Sequence, residues 1–188
     1  MPSETSRKDE ILEVAELLFR SKGYRAISMD DVAEICGIQK ESLFRHFVGK
    51  QELAIAVMAK VQAYFDRCVF NYAYDSTLSG KMRLVKISDA VMLYFSEDAG
   101  CLFGNFAIEK IDATQVFVDA IQCYFNSWAS AYRAIFSCAY ALDVASSLAD
   151  DFVADLQGAL IMMRVTNKND PLIRLEVRLL DAFEAGSK

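Results

Sequence analysis

The side chains best suited to chemistry in this chain crowd into one stretch: Lys40, Glu41, Ser42, Phe44, Arg45 and His46, with Lys50 just beyond. On a short helix whose Leu43 turns inward, they form an outer face that suits a DNA major groove. Glu41 is the one negative member. It would repel phosphate but can accept a hydrogen bond from a cytosine amino group. Taken singly, His46 is more often a core or surface residue than a base reader, and Lys50 reads equally well as a solvated helix start.

Other chemistries find little support. A single histidine and five scattered cysteines without a Cys-x-x-Cys pair make no zinc constellation. The chain has no glycine-rich phosphate loop, and the region after residue 50 lacks histidine and carboxylates clustered with a partner base. The expectation is therefore a protein that is not an enzyme, with no catalytic residue, metal or cofactor. Cys36, Cys68, Cys101, Cys123 and Cys138 all sit in apolar sequence and read as reduced core residues of a cytoplasmic protein. The first nine residues lack the apolar stretch of a signal peptide, and no apolar run approaches the roughly 20 residues of a membrane span.

The elements that position these side chains are helices. The chain has 188 residues, 54% of them apolar, and the apolar positions recur at three and four, so the class is all-α. A first helix spans about residues 6–22 and stops at Gly23. A short second helix is capped by Ser28 with Asp31 three residues on, and ends at Gly37. The third, about 40–47, is closed by Gly49, and a long fourth is expected over 50–74. Further helices are expected at 79–97, at 102–110, at 113–139 behind an Asp112/Gln115 capping box, at 143–166, and at 171–185 behind Asn169, Asp170 and Pro171. Of 22 aromatic residues, 18 follow residue 50, so the domain border is expected near residue 48, dividing 1–48 from 49–188.

Two short helices joined by a glycine turn are more often a plain helical hairpin than a helix-turn-helix. The run Ile11-Leu12, Ala15, Leu18-Phe19, Gly23-Tyr24, Ser28-Met29, Val32-Ala33, Gly37-Ile38, Lys40, Leu43-Phe44, His46-Phe47, Lys50 and Leu53, however, resembles the N-terminal domain of the TetR family of transcriptional regulators without a gap. The resemblance implies an N-terminal three-helix DNA-binding domain and a larger helical domain for ligand binding and dimerisation. It also implies that Lys40, Glu41, Ser42, Phe44 and His46 face the groove, that Lys50 meets phosphate, and that Tyr24, Ser28 and Met29 lie at or near the DNA backbone. Arg45 shares the helix's outer face. Gln39, where Ser or Thr is common, and Glu41, where a small residue is usual, depart from the pattern.

Net charge does not decide the matter. The whole chain carries −6 and residues 1–50 carry −1, yet the segment from Cys36 to Lys50 carries +2. The implied partner is a double-stranded, palindromic operator bound by a homodimer, with a small-molecule effector releasing it and no membrane. Tyr64, Phe65, Tyr94, Phe103, Phe106, Tyr124, Phe125 and Trp128 are candidates to line an apolar effector pocket, the alternative being a filled core. An uncharged effector is expected, since Lys110 and Arg133 are the basic residues between 87 and 140. For self-association the candidates are Ala145, Leu148, Phe152, Leu156, Leu172, Leu175 and Leu179, on two helices that are each apolar on more than one side. An all-α small-molecule carrier or protein adaptor without specific DNA binding stays open as the alternative.

Overall fold

The computed structural model describes residues 4–95, 100–109 and 115–187. Among these, nine α-helices occur: α1 (Glu4–Lys22), α2 (Met29–Ile35), α3 (Lys40–His46), α4 (Lys50–Cys68), α5 (Gly80–Tyr94), α6 (Leu102–Ile108), α7 (Gln115–Phe136), α8 (Leu142–Thr166) and α9 (Asp170–Gly186). The expected ends at Glu97 and Lys110, the start at Ala113 and the capping partner Asp112 lie outside the described residues.

Two compact units divide the chain. One gathers Met1–Gln62 with Cys101–Ile121, and the other gathers Ala63–Gly100 with Gln122–Lys188. This partition is not linear, whereas the expected border near residue 48 is; the first unit takes most of α4 and all of α6.

In the first unit, local signals and burial agree. Ser28 Oγ accepts from the Asp31 N–H while the Asp31 carboxylate accepts from the Ser28 N–H at 2.7 Å, a complete capping box at the start of α2. These bonds hold the Asp31 carboxyl below its ordinary range. At the other end of α2, Gly37 at φ 63° lets its own N–H reach Glu34 O and the Ile38 N–H reach Ala33 O, both at 3.0 Å. That paired closure turns the chain sharply into α3. Val32, Ala33, Leu43 and Phe47 are buried beneath the turn, with Ile11, Ala15 and Phe19 of α1. Beside them, Glu16 reaches Arg20 at 3.7 Å and Lys60 at 3.0 Å, tying α1 to α4.

The second unit departs from the expected single helix over 50–74. Helix α4 ends at Cys68, and Phe70–Tyr74 forms a 3-10 helix. Tertiary burial accounts for the break. The tighter winding brings residues three apart onto one side, so Phe70 and Ala73 are both buried, with the Phe70 ring 5.0 Å from Trp128 and 5.8 Å from Phe65. Arg83 of α5 donates to the carbonyls of Ala73 and Leu78, at the end of the 3-10 helix and in the turn after it. Cysteines are a second correction: Cys36 and Cys101 are buried, but Cys123 and Cys138 are exposed on the outer side of α7 and just after it.

Phe65 anchors this unit's core, with Tyr94, Tyr124 and Trp128 ring centroids at 4.8, 5.3 and 5.8 Å. Phe65→Ala should therefore cost about 3–5 kcal/mol through lost transfer energy and an unfilled hole. Phe125, half-buried on α7, should cost much less on the same change. Urea unfolding followed by Trp128 fluorescence compares the two, and equal losses would contradict the central place given to Phe65.

Candidate nucleic-acid interface

Helix α3 is seven residues long and buries Leu43 completely, which fixes what points outward. Lys40, Glu41, Phe44 and Arg45 are exposed, Ser42 and His46 half-buried. Gln39 stands at the N-cap without a side-chain bond to the helix, so orientation comes from the Gly37 turn and from burial rather than from a cap. Phe44, at 41% exposure, is a large apolar ring left partly in water.

Two side chains of this face are already engaged. Lys40 Nζ lies 2.7 Å from Asp30 Oδ1 and 2.9 Å from Oδ2, a bridge from α3 back to α2. Both partners are more than half exposed, so the pair adds little stability and yields readily to another anion. Arg45 donates to Ser42 Oγ at 3.1 Å within the helix. Asp30 was not singled out by the sequence; its pairing spans a turn that periodicity does not see.

Lys50, the first residue of α4, places its ammonium 4.1 Å from the Tyr24 ring centroid. Burial draws this lysine below its ordinary range, and the carboxylates of Glu109 and Asp31 oppose the shift. Tyr24 in turn contacts Phe19, Phe106 and Phe117 at 5.6–5.8 Å. Ser28 is exposed at the N-terminus of α2. Met29 corrects the expectation: its side chain is buried, so at a DNA backbone it has only its main chain to offer.

The expected ring-lined pocket separates into two groups. Phe103 and Phe106, both buried, belong to the first unit, where Phe106 packs on Phe19 at 5.7 Å. Tyr64, Phe65, Tyr94, Tyr124, Phe125 and Trp128 belong to the second and pack on one another. Trp128 is fully buried, and its indole N–H has no hydrogen-bond acceptor among the described residues. Elsewhere in the second unit a cleft of about 10 Å³, bordered by Ser88, Tyr132 and Glu176, has room for about one water molecule.

The residues chosen for self-association require a correction. Ala145, Phe152, Leu156, Leu172, Leu175 and Leu179 are buried within the single chain, and Leu148 is half-buried. Phe152, for instance, stacks on Phe136 at 5.5 Å. The other apolar face of the same two helices is the one left uncovered: Ile161, Met162 and Val165 on α8, Ile173 and Val177 on α9, each 48% exposed or more. Both faces are apolar, so hydrophobic pattern alone did not say which turned inward.

Among the described residues no helix is long and apolar enough to cross a membrane. Residues 11–57 match the family described as bacterial regulatory proteins, tetR family, and residues 92–177 match the C-terminal domain of LmrA/YxaF-like transcriptional regulators. The chain is 22% identical over 174 residues to the transcriptional repressor DhaR of Mycobacterium sp. (strain GP1), covering 89% of this chain and 87% of that one. It is 30% identical over 123 residues to the transcriptional activator FasR of Mycolicibacterium smegmatis, covering 62% and 55%. A crystal structure of a TetR transcriptional regulator from Legionella pneumophila superposes with a TM-score of 0.86 at 24% identity, covering 97% of this chain and 98% of that one. The two matched segments bracket the recognition face and most of the second unit, and with them the chain belongs to the TetR family of helix-turn-helix transcriptional regulators.

Proposed function

We propose that this chain is a ligand-responsive repressor that binds a palindromic operator as a cytoplasmic homodimer and is released by an uncharged, apolar or aromatic effector. The observation that carries the reading is the outward set on α3. Lys40, Glu41, Phe44 and Arg45 are exposed on a helix fixed by buried Leu43, and the Lys50 ammonium lies at the start of the next helix. Lys40 and Arg45 supply cations to the groove and its walls, Glu41 an acceptor for cytosine, and Phe44 an apolar surface for a thymine methyl. No member of the set is arranged for bond-making chemistry, and the reading is not that of an enzyme. Repression, rather than activation, follows DhaR, which matches over more of its length than FasR does.

The effector reading rests on the second unit's rings. Half-buried Tyr64, Tyr94 and Phe125 border the buried Phe65, Tyr124 and Trp128, and the unpartnered Trp128 N–H invites an acceptor atom on the ligand. Helix α4 carries Tyr64 and Phe65 towards one end and Lys50 at the other, so a ligand beside those rings bears on the helix that bears Lys50. Coupling of about 1–3 kcal/mol is enough to change DNA affinity several-fold or more.

For dimerisation the exposed face of α8 and α9 replaces the residues first chosen. An open groove bordered by Gly158, Met162 and Arg174 runs along it, and small Ala154 and Gly158 allow a partner helix to come close.

Two experiments follow. Retention on mixed-sequence duplex DNA should fall steeply with salt, and Lys50→Ala should reduce the slope of log K against log salt by about one unit. Salt-independent retention would contradict DNA binding, and an unchanged slope would remove Lys50 from the phosphate contacts. Separately, Ile161→Asp with Val177→Asp should give a folded monomer in light scattering, since both sites are about half exposed in the single chain. A stable dimer carrying both charges would contradict the interface. By contrast Phe152→Asp should unfold the chain, by leaving an unpaired charge in the core at a cost of several kcal/mol.

A further inference from the structure

Glu109 lies at the C-terminal end of α6, 85 residues from Tyr24 in sequence and in the same compact unit. Its carboxylate accepts one hydrogen bond from the Tyr24 N–H and another from the Arg25 N–H, each at 2.8 Å. These two donors stand in the turn after α1, beyond its last residue, Lys22. Gly23 makes the approach possible. It sits at φ 85°, and a Cβ there would come within 1.9 Å of Glu109 Oε1. One turn earlier on α6, the Asn105 amide donates to Arg20 O at 2.8 Å and to Phe19 O at 3.4 Å, taking carbonyls at the end of α1. The short helix thus grips the end of α1 and the start of the turn after it, donors with Glu109 and acceptors with Asn105.

What that turn presents is Tyr24, and over the Tyr24 ring sits the Lys50 ammonium at 4.1 Å. We infer that Glu109 is a positioning residue for DNA binding: by fixing the Tyr24–Arg25 main chain it holds the ring on which Lys50 rests, and so aims that cation. The inference rests on the DNA-binding reading above. It adds that the helix-turn-helix segment at residues 11–57 is incomplete as a DNA-reading device without α6, a helix that lies within the C-terminal match. The negative charge of Glu109 also opposes the downward pull of burial on the Lys50 ammonium's pKa.

The test uses the full chain. Amide hydrogen exchange of the unmodified protein should find the Tyr24 and Arg25 N–H groups protected, and fast exchange at both would overturn the clamp without any variant. Glu109→Gln keeps one acceptor oxygen but turns an NH2 donor towards a backbone N–H. It should deprotect these amides, weaken binding to mixed-sequence duplex DNA roughly ten-fold, and reduce the salt slope by about one unit. Because Lys50 then no longer aims correctly, adding Lys50→Ala should cost much less than it does in the unmodified chain. Trp128 emission, reporting on the second unit, should stay unchanged. Unaltered or tighter binding by Glu109→Gln, or full additivity with Lys50→Ala, would overturn the positioning role. An unmodified chain that binds no duplex at all would instead bring down the DNA-binding reading, and this inference with it.

Discussion

A helix of seven residues is far too short to hold itself in water, and α2, α3 and α6 are each of that length. Every functional property proposed for the first unit depends on how these three are held. Helix α2 has its capping box and its glycine closure, both local and both encoded within a few residues. Helix α3 has almost no local support beyond the turn that precedes it; Leu43 and Phe47, buried under its inner side, supply the rest. Helix α6 begins on Cys101, whose sulfur accepts from the Gly104 N–H at 3.4 Å, and then fastens to α1 and its turn through Asn105 and Glu109. The result is a compact unit in which Lys40, Glu41, Phe44 and Arg45 stand on the outer side of α3.

The second unit solves a different problem. Its rings meet mostly edge to face around Phe65, with interplanar angles of 79°, 79° and 62° to Tyr94, Tyr124 and Trp128. That geometry sets the positive edge of one ring against the negative face of another and adds to the burial energy. It leaves Trp128 with an indole N–H that this packing does not satisfy among the described residues.

Much of this was legible in the sequence, for identifiable reasons. Gly23 and Gly37 take positive φ as helix stops, Ser28 and Asp31 form the capping box, and Leu43 turns inward as expected. Three features were not legible. The break after Cys68 has no proline or glycine to announce it, because burial of Phe70 and Ala73 decides it. Phe152 and Ile161 lie on different faces of one helix, and periodicity alone does not say whether an apolar face meets the chain's own core or a partner. The bonds from Glu109 and Asp30 join residues that no helical period relates, and charge at an exposed position reads as solvated until a partner is seen across the fold.

The central claim is that α3 reads DNA as one of a symmetric pair. Selection of bound fragments from a random duplex pool by the purified full chain addresses it most directly, because sequence and symmetry emerge together. The account predicts an inverted repeat whose half-sites lie about one helical turn, some 34 Å, or a multiple apart, with a cytosine preference that disappears when Glu41 is replaced by alanine. No enrichment, or an enriched site without two-fold symmetry, would contradict it.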